Sequence, residues 1–553
     1  MKTYEGAAVE ADTVFLNGVI YTADPNDTTV KALAIKDGKI LALGSSGEME
    51  IYIGSGTEVT DLAGKMALPG MIDSHLHPPG NALVELYNIY LSQKDDKDTI
   101  MAKAAKFIAA NPDLDAYYGS GWSVGVFEDE ETIRGPKKER LDAISPNKPV
   151  ILTSYDGHSI WANSKALEIA GITKDTPDPE AGVIERDPVT GEPWGTLKEA
   201  AMELLPNEKY TSAQLIEGVK AFQTLMHSLG YTGIFSATFS AGMGDETYKV
   251  FKLLDDKGEL KMWVRASERI DITRDEGMET QIANLKRLRD TYNGKLFKVT
   301  NAKIFIDGVI ECATAKLLQP YEKAAGKGNG YYGMYSWEDM NALKQVFTTL
   351  NREGFQIHIH SIGDRATRDT LDAFEYALKQ VPGEHRNAIT HLQLVAPEDI
   401  PRFKELGVIA NCQAYWHLKE PGWWEVVEFP FLGKRAENEY PLGTFFRSGA
   451  VVASSSDYPV TDPPNPLRAI QVGVTRNLNA DERASLEDMI KSFTANNAYA
   501  LFLDDVTGTI EIGKYADLVI LDQDLFSIDP LDIDGVQVLK TICRGEVVYE
   551  AGR

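Results

Sequence analysis

Short apolar runs alternate with longer amphipathic stretches through most of this 553-residue chain. The runs at 71–77, 232–237, 262–267, 302–306, 355–360, 389–392, 408–411 and 451–455 have the length and β-branched content of buried strands. Between them, 213–229, 340–352 and 367–380 carry the 3.6-residue spacing of helices packed on one face. Strand and helix in alternation are the signature of βα units. Eight such strands predict an α/β fold of the (β/α)8 TIM-barrel type. The gap between His77 and Thr232 is far too long for one crossover, so an inserted subdomain is expected after strand one, at about 95–210.

The two ends of the chain carry a different pattern. Residues 13–22 are apolar and β-branched, broken at Asn17-Gly18, and 30–43 turn around Asp37-Gly38. Residues 516–522 form another apolar run, and 538–550 alternate around Gly545. These are strand and hairpin patterns without helices. They predict a small β-sandwich domain built from both termini, 1–66 plus 505–553, with the barrel at 67–504 between them.

Composition narrows the partners. Lys and Arg total 56 against 82 Asp and Glu, a net charge of −26. That balance argues against a nucleic-acid partner and against docking on anionic lipid, and it favours solubility. A hydrophobic fraction of 43% excludes a disordered chain. No apolar run is long enough to span a bilayer, and the first residues lack a signal-peptide core. Cys312, Cys412 and Cys543 are far apart and have no metal-knuckle spacing. A cytoplasmic protein without disulfides is the expectation.

The chemistry-bearing residues collect at strand ends. His75 and His77 end the first strand in Pro69-Gly70-Met71-Ile72-Asp73-Ser74-His75-Leu76-His77 and share one face. Lys303 lies among apolar neighbours on the fourth strand, His360 ends the fifth, His391 lies on the sixth and Asp457 follows the eighth. Barrel active sites sit at the C-terminal ends of strands, and imidazole with carboxylate suits zinc and similar divalent metals. Taken singly, Lys303 could be a snorkelling or salt-bridged lysine, and Asp457 reads first as a turn or helix-cap residue.

This ordered set resembles the amidohydrolase superfamily, most closely its amidohydrolase-3 or YtcJ-like family, which includes N-substituted formamide deformylases. The segments LPGMIDSHLH, SYDGHSIWANSKALEIAGIT, AKIFIDG, IHIHSIGDRAT, THLQLV, SSSDYPV and GKYADLVILDQD carry the resemblance across essentially the whole chain. It implies two divalent metals per chain, zinc in the family's pattern: His75, His77 and Asp457 on one, His360 and His391 on the other, bridged by a carbamylated Lys303. It implies metal-activated hydroxide attacking an amide, with Asp457 moving the proton as general base and acid. His158 would line the pocket and bind the substrate carbonyl, or else serve the structure. His358 is expected behind the ligands or in the core, and Asp364 with Arg365 as an ion pair or a plain helix start.

The implied activity is hydrolysis of a non-peptide C–N bond in a small-molecule amide, an N-substituted formamide or a cyclic amide, by a homodimer. Trp122, Tyr155, Trp161, Trp194, Trp416, Trp423, Trp424 and Tyr458 either line a pocket for an apolar or aromatic group or cement the insertion to the barrel. A mononuclear deaminase of a heterocyclic substrate is the alternative, although the Glu such enzymes place after strand five is absent from His360-Ser361-Ile362-Gly363-Asp364. A non-catalytic ligand-binding descendant is the second alternative; the complete ligand set speaks against it.

Overall fold

A computed structural model describes residues 9–552 except 156, 158, 180–181, 207, 241–243, 273 and 275. The chain divides into two compact units, residues 1–80 together with 220–553, and residues 81–219.

In the first unit, eight strands run in one parallel order. They are β1 (Met71–Leu76), β2 (Tyr231–Ser236), β3 (Trp263–Arg269), β4 (Phe297–Phe305), β5 (Gln356–Ser361), β6 (Ala388–His391), β7 (Ile409–Cys412) and β8 (Val452–Ser454). Each pairs with the next, in the barrel order the alternation predicts. β4 starts earlier than expected, because Lys298 and Thr300 alternate with buried Phe297 and Val299 and mask the apolar run. The helices Ser212–Ser228, Met340–Arg352 and Asp364–Gln380 match the predicted stretches. Asp364 opens its helix, where a carboxylate meets the positive helix end. The proposed Asp364–Arg365 pair is not formed: Arg365 reaches one turn along to Asp369 at 2.8 Å.

The seam between β1 and β8 is closed by single bonds rather than a ladder. The Asp457 N–H donates to the His75 carbonyl at 2.8 Å, and the His77 N–H donates to the Tyr458 carbonyl at 2.8 Å. Ser74 Oγ donates to the Ser454 carbonyl at 2.9 Å. Asn497 Nδ2 reaches across both strands, to the carbonyls of Ile72 and Ser454. Long-range polar closure of this kind fixes the chain beyond β8 directly over the end of β1.

Strands from both chain ends make two further sheets. One, in spatial order, holds Lys39–Gly44, Ala32–Lys36, Thr13–Leu16 and Glu58–Asp61. The other joins Leu518–Leu521 antiparallel to Met66–Pro69, so late and early residues share one sheet. Phe15, Leu33, Ile40, Ile520 and Ile542 fill a common apolar core. The turns behave as their sequences imply. Asp37 and Gly38 have φ of 49° and 74°, as a two-residue hairpin turn of the right twist requires. A Cβ at Gly38 would lie 2.4 Å from the Arg544 carbonyl oxygen of the other hairpin, so only glycine fits. The six-stranded sheet runs straight into the barrel through Gly70 and β1. Trp263 Nε1 donates to Asp517 Oδ2 at 2.8 Å between them.

The second unit has its own six-stranded sheet, in spatial order Gly182–Arg186, Pro193–Glu199, Ser159–Ala162, Val150–Ser154, Tyr117–Trp122 and Ile89–Tyr90. Trp122, Phe127 and Trp161 meet edge to face in its core. Trp194 donates from Nε1 to the Gly135 carbonyl under the Lys137 ammonium. These tryptophans pack in this unit's interior. All three cysteines are free thiols. No helix among the described residues is long and apolar enough to cross a membrane.

Candidate metal centre

Alternate positions on β1 put Asp73, His75 and His77 on one face. The closed seam then brings Asp457 to the two imidazoles. Asp457 Oδ1 lies 3.3 Å from His75 Nε2 and 3.1 Å from His77 Nε2. Neither approach has hydrogen-bond geometry, and Oδ1 is buried with no hydrogen-bond partner. Among the described residues this is the one group of three His, Cys, Asp or Glu side chains whose donor atoms lie within 4.8 Å of one another in a form able to hold a metal. Tetrahedral zinc with bonds of ~2.0–2.1 Å sets its ligand atoms about 3.3 Å apart. The donor spacing fits a divalent cation.

The ring nitrogens facing away are all held. His75 Nδ1 lies 2.7 Å from His358 Nε2. His77 Nδ1 lies 2.8 Å from Thr238 Oγ1 and 3.1 Å from the Thr238 carbonyl. Each imidazole is thereby turned with Nε2 towards Asp457, the arrangement that fixes the tautomer of a metal ligand. His358 thus sits behind His75, where the sequence placed it.

His360, His391 and Lys303 gather beside this trio. The His391 ring centroid is 5.1 Å from that of His75 and 4.5 Å from that of His360. His391 Nδ1 meets Gln413 Oε1 at 3.0 Å, and Gln413 Nε2 is anchored on Thr390, Asn411 and Ser455. His360 Nε2 faces the Gly308 carbonyl at 3.2 Å, leaving Nδ1 as its other nitrogen. Lys303 pairs in register with His358 across β4 and β5, and its Nζ has no hydrogen-bond partner although fully buried. That rules out the salt-bridged lysine considered from the sequence. His158 lies outside the described residues.

Burial sets the charge states. It drives His75 and His391 well below the usual imidazole range and His360 to about 3, with the Lys303 charge adding to each. The three rings are neutral at physiological pH, as ligation demands. Burial also lowers Lys303 to about 7, so a substantial share of its amine is neutral near pH 7. Burial opposes ionisation of Asp457, but its contact with His77 and the nearby Lys303 help to outweigh it, and the carboxyl stays below its ordinary value.

Several contributing residues carried no sequence signal. Thr238 and Gln413 are ordinary polar residues until the barrel closes. Asp73 stood in the His-x-His motif; its carboxylate accepts from the His75 and Ser456 N–H groups and so ties β1 to the turn carrying Asp457. Of the aromatic residues, Trp416 stacks on His391 at 5.8 Å and 18°. Tyr458 is fully buried against Phe222.

The chain matches the Amidohydrolase family over residues 58–549. It is 32% identical to the protein LONG AFTER FAR-RED 3 of Arabidopsis thaliana, over 98% of this chain and 92% of that one. It is 29% identical to YtcJ of Bacillus subtilis, over 97% and 99%. It is 25% identical to the N-substituted formamide deformylase of Arthrobacter pascens, over 98% of each. The crystal structure of an uncharacterized metal-dependent hydrolase from Pyrococcus horikoshii OT3 shares the fold, with a TM-score of 0.72 at 24% identity over 95% of this chain and 99% of that one. A family match of this extent, running through the strand ends where His75, His77 and Asp457 converge, places the chain in the amidohydrolase family of metal-dependent hydrolases.

Proposed function

We propose that the chain hydrolyses a non-peptide C–N bond, in an N-substituted formamide or a cyclic amide, at a centre built on His75, His77 and Asp457. The observation that carries this reading is the 3.1–3.3 Å approach of Asp457 Oδ1 to Nε2 of both His75 and His77. Bound there, a divalent cation such as zinc supplies Lewis-acid polarisation of a carbonyl and a nucleophilic water at neutral pH. The chain's own groups do the rest. His358 and Thr238 hold the histidine tautomers. Asp457 takes the proton from the attacking water and returns it to the leaving nitrogen. Gln413 and Trp416 keep His391 in a fixed plane. His158 is the further group proposed to bind the carbonyl.

Lys303, His360 and His391 fit a second metal position. A buried ammonium with no acceptor is costly, whereas the neutral amine can form an N–C bond to CO2 and release one N–H proton to solvent, leaving a carbamate anion. That anion would bridge the two positions. One observation favours a second reading, a mononuclear deaminase: only one three-donor group converges among the described residues. The missing Glu after β5 weighs against it.

Metal per chain, measured on protein purified without chelator, separates the two. Two metals falling to one or none in Lys303→Ala support the bridged pair, and formamide and cyclic-amide panels should then show turnover. One metal, unchanged in Lys303→Ala, with ammonia released from a heterocycle, would replace this reading by the deaminase.

A further inference from the structure

A second set of charged groups lies beside the centre, on segments that follow the C-terminal ends of β4, β6 and β7. Glu439 is fully buried and Glu428 nearly so. Gln393, two residues beyond His391, donates from Nε2 to Glu439 Oε1 at 2.6 Å, and its carbonyl accepts the Tyr440 N–H at 2.8 Å. Glu439 Oε2 and Glu428 Oε2 have no hydrogen-bond partner. Both ring nitrogens of His417 are also buried and unpartnered, with the ring stacked on Tyr440 at 4.4 Å and 19°.

Burial, then the neighbouring Glu428, raises Glu439 well above the ordinary carboxyl value. Arg476 is the cation acting on Glu439, but its guanidinium donates to the carbonyls of Leu478, Tyr440 and Glu439 and not to a carboxylate. The charges acting on Glu428 are those of Glu311 and Glu420, both acidic. Burial, then Glu311, pushes Glu428 up to about 7. A proton shared between Glu428 and Glu439 would give each other's Oε2 a partner, and neither has one. A metal ion does not fit, because these donors do not converge as the His75 trio does. Buried acceptors that stay unmet call for a ligand that brings donors.

We propose that this acidic corner receives a cationic end of the substrate, an alkylammonium or guanidinium group, with Glu428 and Glu439 as its acceptors. Such a group carries enough N–H donors to serve more than one carboxylate. It would be tethered to the scissile amide, since Gln393 joins the corner to the strand that carries His391. The inference rests on the amide-hydrolase reading for the position of the reacting carbonyl, and it adds charge to the substrate class.

The test is calorimetric binding to the metal-loaded full chain. The probes are mono-N-formylated diaminoalkanes of four to six carbons, and N-formylalkylamines of the same lengths that lack the ammonium. Wild type should bind the best ammonium probe about tenfold more tightly than its neutral partner, and Glu428→Gln or Glu439→Gln should reduce that preference to about twofold or less. Trimethylation of the ammonium removes its donors and should likewise reduce the preference in wild type, a readout that needs no variant. Equal binding of charged and neutral probes by wild type, or a preference unaltered by both substitutions and by trimethylation, overturns the proposal. Tight binding of the ammonium probe without cleavage keeps the cationic subsite and overturns the formamide reading instead.

Discussion

Asp457 holds His75 twice: its backbone N–H donates to the His75 carbonyl at 2.8 Å, and its Oδ1 stands 3.3 Å from Nε2 of the same residue. The backbone bond aligns the turn after β8 with β1, and the side chain then completes the donor trio. Asp457 adopts φ of 59°, a left-handed conformation costing an L-residue about 1–2 kcal/mol that the barrel seam must overcome. Asp457→Asn keeps the backbone bond and removes the anion. Metal content should fall, and kcat on the best amide should drop by about 10²–10⁴-fold or more. Full metal content and unchanged turnover in that variant would remove Asp457 from the centre.

His358 separates a ligand from the group that orients it. It touches His75 Nδ1 at 2.7 Å and is not itself one of the three converging donors. His358→Phe should weaken metal binding about 10–100-fold, while saturating metal restores full occupancy. Competition against a colorimetric chelator reads this directly. His75→Ala, in contrast, should leave the position empty at any accessible metal concentration.

Gly80 determines whether Tyr458, and with it Asp457, can sit where it does. Its φ is 62°, and a Cβ there would lie 1.8 Å from Tyr458 Cε1. Tyr458 is fully buried and has no free space to yield. Gly80→Ala should cost about 2–4 kcal/mol, combining the left-handed backbone with overpacking. A lower melting temperature together with weaker metal binding is the expected result; loss of neither would show that the turn adapts.

His227 gives a pH dependence independent of the centre. Burial lowers it to about 4, while its Nδ1 faces the Tyr231 carbonyl at 3.0 Å. In the unfolded chain it titrates near 6.5. Because the folded value is depressed, the neutral imidazole contributes stability that is fully present above about 6.5 and is lost as pH falls towards about 4. Between pH 7.5 and pH 5, wild type should lose about 2 kcal/mol relative to His227→Gln, read from urea unfolding midpoints. A constant difference across that range would place the charged imidazole in the native fold.

The repeating pattern of the chain was enough for the barrel. Buried parallel strands read as apolar runs, so β1, β2, β3 and β5 to β8 could be located within a residue or two, and β4 was shortened only because Lys298 and Thr300 break its run. His75 and His77 were legible because strand periodicity puts alternate residues on one face. The Arg365 partner was not, since a helix offers both the neighbour Asp364 and Asp369 one turn on, and only the four-residue spacing brings side chains together.

The sequence by itself determined the order of strands, the histidines at their ends and the acidic balance of the chain, because each depends on local spacing or on composition. The tertiary structure alone decided what meets at the centre. The residues that close the seam and turn the rings, Asp457 on His75, His358 on the other side of His75, Thr238 on His77 and Gln413 on His391, are separated by 382, 283, 161 and 22 positions along the chain. No local pattern encodes such pairs. Closing the barrel brings them together, and packing then holds His391 and Asp457 in left-handed backbone that neither would adopt in a free segment.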